Sequence, residues 1–388
     1  MSVAIAQRAA IVIAALCFLT PGLANSSVVT PTRDDEVIEV LPAMAGARAE
    51  LLVLRRALAA NPLDAASAVK LSRLYIDQAR TTGDPRFAGR ALALFRPWPD
   101  LTKAPGDVVL MTATLQQYVH DFDAAALNLE QLVERSPRNA QAWLTLATVR
   151  RVQGRYKASE HACEAVASAG ADVYARACKA ENASLQGNFA GARNALNALV
   201  ADRRATPETR NWLLTTLAES EARAGSAPAA ERAYRDAIKA QPDGYTALSF
   251  ADFLIELKRY PDALLALDGQ PRTDTVLLRL AIAGSMANTQ QSRDDVRELR
   301  ERMALANLRP EAQSTHAREA AMFALWIDHD AQRALELARE NVRHQREPLD
   351  VLVFARASAA SNDVNAQRDV DSVVSEMGLR DERLHALR

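Results

Sequence analysis

The sequence predicts an all-α protein, an α-α superhelix of stacked helix-turn-helix pairs, from three observations. Turn residues recur at about 33-residue spacing, as a tandem helical repeat requires. A small residue stands five positions after each of them. Glycine is scarce, 14 residues in a chain of 388, which argues against a turn-dense all-β chain. Hydrophobic residues make up 49% of the sequence and aromatics 5%. The core must therefore be built from small side chains in close contact, as packed helices allow. The 47 Lys and Arg nearly cancel the 48 Asp and Glu, so there is no general basic field of the kind that holds nucleic acid.

At the N-terminus, Arg8 precedes an apolar run from Ala9 to Leu19, followed by Thr20, Pro21, Gly22, Leu23 and Ala24. This is the composition of a cleaved secretory signal peptide, assigned to residues 1–24. The run is too short for a membrane anchor, which needs roughly 20 apolar residues. Leu16 before Cys17 also fails the small-residue requirement of a lipidation site. The mature chain is expected to be exported and soluble, periplasmic in a Gram-negative source, without stable membrane insertion.

Residues 25–44, with Asp34, Asp35 and Glu36 between Pro31 and Pro42, read as a flexible acidic leader. A repeat solenoid is assigned to residues 45–377. It opens with an N-terminal cap helix over 45–61, where Leu51, Leu54 and Leu58 share a face and Pro62 follows. Residues 84–105 carry an insertion with Pro97, Trp98 and Pro99.

The clearest unit runs from Trp212 to Pro242. Leu214, Leu217, Ala218 and Glu221 form one helical stripe, Gly225 breaks it, and Ala230, Tyr234 and Ala237 form a second. The turns are His120, Gly154, Gly187, Gly225, Lys258, His329 and Ser361. Five residues after them come Ala125, Ser159, Ala192, Ala230, Ala263, Ala334 and Ala366. Phe122, Tyr156, Phe189 and Tyr260 follow four of the turns by two residues. A double interval between Lys258 and His329 covers a degenerate repeat at 271–310. The tail, 378–388, carries Arg380, Asp381, Glu382 and Arg383 and is expected to solvate the last helix.

Pro137, Trp143, Leu146, Gly154 and Tyr156 resemble the tetratricopeptide repeat family, whose unit places an aromatic and Leu in its first helix and Ala, an aromatic and Pro in its second. Arg150 departs from it, standing where the family usually has Tyr. The resemblance implies that first helices line a concave groove and second helices the convex side. Carried across, that register gives as groove candidates Gln117, Tyr118, Thr148, Arg151, Tyr174, Glu181, Trp212, Glu219, Arg223, Tyr245, Asp252, Phe323 and Trp326. A subfamily that grips C-terminal carboxylates uses Lys and Asn on its first helices. Here those positions hold Leu110 and Thr114, Leu144 and Thr148, and Thr215 and Glu219, so that clamp is missing.

No enzyme motif survives weighing. Ser67 and Lys70 have an S-x-x-K spacing without the companion K-T-G, and no phosphate loop or H-E-x-x-H is present. His161, Cys163 and Cys178 match no standard zinc spacing. No metal or cofactor is expected. Cys163 and Cys178 lie on helices that pack together in such a fold, and the sequence leaves open a disulfide or two buried thiols.

The function implied is a non-enzymatic scaffold of the cell envelope that binds a protein or peptide partner in its groove. The alternative is a glycan or small-ligand binder with Trp212 and Tyr245 as stacking platforms, or an unrecognised hydrolase, using the acidic and aromatic groove lining with its strip of Glu181, Glu219 and Asp252.

Overall fold

The computed structural model describes residues 47–307 and 317–387. The expected signal peptide, and the acidic leader that precedes the cap helix, lie outside them. Among the described residues there are 20 helices and no strand.

The cap helix α1 (Ala47–Ala60) is followed by α2 (Ala65–Thr82) and α3 (Arg86–Ala93). Next come α4 (Gly106–Tyr118) with α5 (Phe122–Arg135), α6 (Ala140–Val152) with α7 (Tyr156–Ser168), and α8 (Asp172–Leu185) with α9 (Phe189–Val200). The middle pairs are α10 (Pro207–Arg223) with α11 (Ala227–Ala240) and α12 (Gly244–Glu256) with α13 (Tyr260–Ala266). Then α14 (Asp274–Met286) pairs with α15 (Ser292–Asn307) and α16 (Ala317–Trp326) with α17 (Ala331–His344). The chain ends with α18 (Pro348–Ser361), α19 (Val364–Met377) and the short α20 (Glu382–His385). The two helices of every pair pack on one another, and from α8 to α18 each first helix also touches the next first helix.

The turns end first helices by one device. His120, Gly154, Gly187, Gly225, Lys258 and His329 all have positive φ. At Gly154 the backbone N–H donates to the Arg151 carbonyl at 2.9 Å, and that of Arg155 to the Arg150 carbonyl at 2.8 Å. These are the paired bonds of a Schellman cap, which satisfy carbonyls the helix itself leaves free. Gly154 has a second reason to be glycine: a Cβ there would stand 2.8 Å from Met377 Cγ. At the last turn the left-handed residue is Asn362, one position after the expected Ser361.

The small residues follow from the packing. Ala125, Ser159, Ala192, Ala230, Ala263, Ala334 and Ala366 are all 0% exposed, each on the second helix of a packed pair. Ser159 fits because its hydroxyl donates to the Ala147 carbonyl at 2.8 Å. Gly83 and Ala88 obey the same spacing where the insertion begins. In the degenerate repeat α14 and α15 still pair, but the close approach has moved. There a Cβ on Gly284 would meet Ser292 Cβ at 3.0 Å, so the first helix supplies the room that the second supplies elsewhere.

The C-terminal region corrects the expected solvated tail. Leu379, Asp381 and Leu384 are buried, and Leu384 joins a core that includes Tyr156 and Leu185 from much earlier repeats. Arg346 donates its backbone N–H to the Val152 carbonyl at 2.7 Å, and Arg380 donates to Leu185 at 2.8 Å. Arg356 on α18 pairs with Glu256 on α12. Between residues 50 and 387 the later repeats thus return onto the ends of α6, α8 and α12.

Candidate partner-binding groove

The first helices α8, α10 and α12 form the stretch in which the candidate residues converge. Their caps fix the register: Thr206 accepts from Thr209 N at 3.2 Å at the start of α10, and Asp243 accepts from Thr246 N at 3.0 Å at the start of α12. Below the surface, Thr215 and Thr246 share a hydroxyl contact at 2.9 Å, and Asn211 donates to Thr246 Oγ1 at 3.1 Å. This polar ladder fixes α10 against α12, and so fixes what projects above it.

What projects is an aromatic row. Tyr174 on α8 is 42% exposed, and its ring centroid lies 5.8 Å from that of Trp212 on α10, which is half-buried and also packs on the core beneath it. Tyr245 on α12 is 62% exposed, and its hydroxyl donates to Glu219 Oε1 at 2.8 Å. Ser249 donates to the same oxygen at 2.9 Å and also contacts the Tyr234 hydroxyl at 2.8 Å, linking groove to core. Burial raises the Glu219 carboxyl above the usual carboxylate range. The Glu219 charge beside it raises the Tyr245 phenol well above the usual tyrosine value. The first shift comes from burial, which the nearby Arg223 charge partly offsets, and the second from the Glu219 charge itself.

The remaining candidates are spoken for by the fold. Arg151 pairs with Glu181 at 2.9 Å, and Thr148 bonds back to the Leu144 carbonyl at 3.1 Å. Arg223 is buried and donates to Ser184 Oγ at 3.0 Å. Asp252 takes both nitrogens of buried Arg279 at 2.9 Å each. Gln117 is half-buried, and Tyr118 packs on the N-terminal core. Phe323 is buried, and Trp326 packs on the C-terminal core with the Arg356 guanidinium 5.9 Å from its ring centroid. Two of the three acids in the proposed catalytic strip are thus neutralised by arginines.

Sequence reasoning missed Ser249 and the Tyr234 hydroxyl, which position Glu219 and which no motif marks. It also missed Glu208, on the same face of α10 as Trp212 and one turn earlier.

Elsewhere, Lys70 of the S-x-x-K sequence pairs with Glu50 at 2.6 Å. A disulfide joins Cys163 on α7 to Cys178 on α8, with Cα atoms 5.7 Å apart, and His161 lies against Trp143. Among the described residues no cluster of three or more His, Cys, Asp or Glu is placed to hold a metal, and no helix is long and apolar enough to cross a membrane.

The profile of the tetratricopeptide repeat family matches residues 110–174 and 215–271, which include all of α12, the later part of α10 and only the first turn of α8. No curated protein matches the chain. Among solved structures, a tetratricopeptide repeat protein from Parabacteroides merdae is similar at 15% identity and a TM-score of 0.45, over 64% of this chain and 90% of that one. A thermophilic tetratricopeptide repeat protein of Thermus thermophilus is similar at 19% identity and 0.40, over 52% and 99%. Pseudomonas aeruginosa PilF is similar at 18% identity and 0.36, over 55% and 96%.

Proposed function

We propose that this chain, which carries tetratricopeptide repeats, is a non-enzymatic scaffold of the cell envelope that binds a protein partner through an extended segment laid across α8, α10 and α12. Tetratricopeptide repeats serve protein–protein interaction. The observation that carries the reading is the row of Tyr174, Trp212 and Tyr245, presented on three successive first helices while Arg151, Glu181, Arg223 and Asp252 beside it are buried or ion-paired. Exposed rings of this kind bury much area at small rotamer cost, which suits them to capture. Two features support an address outside the cytoplasm: the signal-like composition of residues 1–24 and the Cys163–Cys178 disulfide, a bond favoured in oxidising compartments.

The test is affinity capture from a periplasmic extract with the native chain and with a Trp212→Ala, Tyr245→Ala double variant. The variant is expected to retain its helicity by circular dichroism and to lose most of the captured partner. Unchanged capture of every native partner overturns the reading. N-terminal sequencing of exported material is expected to begin near Asn25, and a start at Met1 removes the envelope address.

A further inference from the structure

We propose that the aromatic row takes a basic side chain, Arg or Lys, of an extended peptide, with its charge on Glu219; this rests on the peptide-binding reading above. All but one of the acids in the middle and last turns of these first helices are ion-paired across helices. Glu181 has Arg151, Asp252 has Arg279 and Glu256 has Arg356. Glu219 has no ion pair among the described residues, and the bonds to its oxygen come from two neutral hydroxyls, Tyr245 and Ser249. Arg223, one helical turn further on, gives its Nη2 to Ser184 instead. Arg223 still favours the charged form of Glu219 from a distance, but no cation is in contact with the carboxylate, and the open side of the groove is where one arrives.

The surroundings favour the same charge. Aromatic faces are negative and attract ammonium and guanidinium groups. The Glu219 bond holds the Tyr245 ring in place, and the Tyr174 and Trp212 rings are 5.8 Å apart at an interplanar angle of 32°. Glu208 and Asp243, which have no ion pair among the described residues, add negative charge where α10 and α12 begin. The basic residue Arg210 is turned away, donating to the Val200 and Asp202 carbonyls. First helices spaced about 8–10 Å apart make the row roughly 20 Å long, which matches about six residues of extended chain at ~3.3 Å each. A free amine or a metal ion would meet one corner of it.

The experiment is selection of phage-displayed random peptides on the full chain, discarding those that bind the Trp212→Ala variant equally well. Synthetic copies are then measured on native and Glu219→Gln protein, with melting temperature as the control for folding. Enriched peptides are expected to carry Arg or Lys, and Glu219→Gln to weaken them about tenfold. Replacing that basic residue with Gln should weaken binding to the native chain to a similar extent, with little further loss on Glu219→Gln. Peptides that need Trp212 but lack a basic residue and ignore Glu219 overturn the cation inference and leave the peptide-binding reading standing. A selection that yields no Trp212-dependent peptide overturns both.

Discussion

Arg380 donates its backbone N–H to the carbonyl of Leu185 at 2.8 Å, so a loop near the chain's end caps the last residue of α8. Arg346 does the same for Val152 at the end of α6. Carbonyls in the last turn of a helix have no partner within it, and here later repeats supply one. The seam is also apolar, because Leu379 and Leu384 are 1% and 5% exposed. Leu384→Ala is therefore expected to destabilise the protein by about 2 to 4 kcal/mol, and deletion from Leu379 onward by more. Urea denaturation measures both. An unchanged midpoint after the deletion would show that the seam adds nothing.

Ala230 sits where α10 and α11 meet and is fully buried. Ala230→Leu forces the pair apart and is expected to cost about 1 to 3 kcal/mol. Tyr234 lies three residues before Ala237 on the same buried face, with its ring stacked 5.1 Å from Phe250. Tyr234→Ala leaves a cavity at the junction with the next repeat and is expected to cost about 3 to 5 kcal/mol. Thermal melts that rank Ala230→Leu as neutral would contradict the close-approach account.

The repeat was legible because its determinants are local. A left-handed turn and a small residue five positions on lie in one stretch of sequence, as at Gly225 and Ala230, and each has a single steric reason. Where the small residue moved to the first helix, at Gly284, the pattern faded although the helix pair remained. The seam was not legible, since Arg380 and Leu185 are brought together by rotation accumulated over several repeats. That rotation also separated the groove candidates. Glu219 and Phe323 each stand six residues before a turn, yet the first is half-buried beside Tyr245 and the second is buried in the C-terminal core.

The Cys163–Cys178 bond closes a loop with a sequence separation of 15. A cross-link of that span stabilises by about 3 kcal/mol through the unfolded chain. The Cys163→Ala, Cys178→Ala double variant is expected to lose roughly that amount in a denaturant titration. Peptide mapping of native protein without reductant should recover the two cysteines in one linked fragment. Recovery of both as alkylated thiols rejects the bond in the natural compartment.

Glu231 accepts from Arg259 at 2.6 Å and from Arg235 at 2.7 Å, and these arginines lower its carboxyl to about 2. Because the folded value lies below the unfolded one of 4.5, the folded state favours the charged form. Its contribution is complete above the unfolded value and disappears as pH falls from about 4.5 toward 2. Exposure of the cluster to solvent reduces the worth to about 1 kcal/mol or less. Glu231→Gln is expected to lower stability at pH 7 by that amount and to flatten the loss between pH 5 and 2. A variant whose acid unfolding curve overlays the native one would show that the pair is idle.

Tyr245 and Phe323 separate recognition from folding. Tyr245 is 62% exposed and spends its hydroxyl on Glu219, whereas Phe323 is 5% exposed and packed in the C-terminal core. Phe323→Ala is expected to destabilise by about 3 to 5 kcal/mol. Tyr245→Ala removes one exposed ring and one surface bond, so it should cost under about 1.5 kcal/mol. Binding should respond in the opposite order. Tyr245→Ala weakens capture by a chain that remains folded, while Phe323→Ala, measured well below its melting temperature, leaves capture near the native level. Equal melting temperatures for the two variants would place the Tyr245 ring in the core, and the groove would lose one of the three rings on which its function is argued.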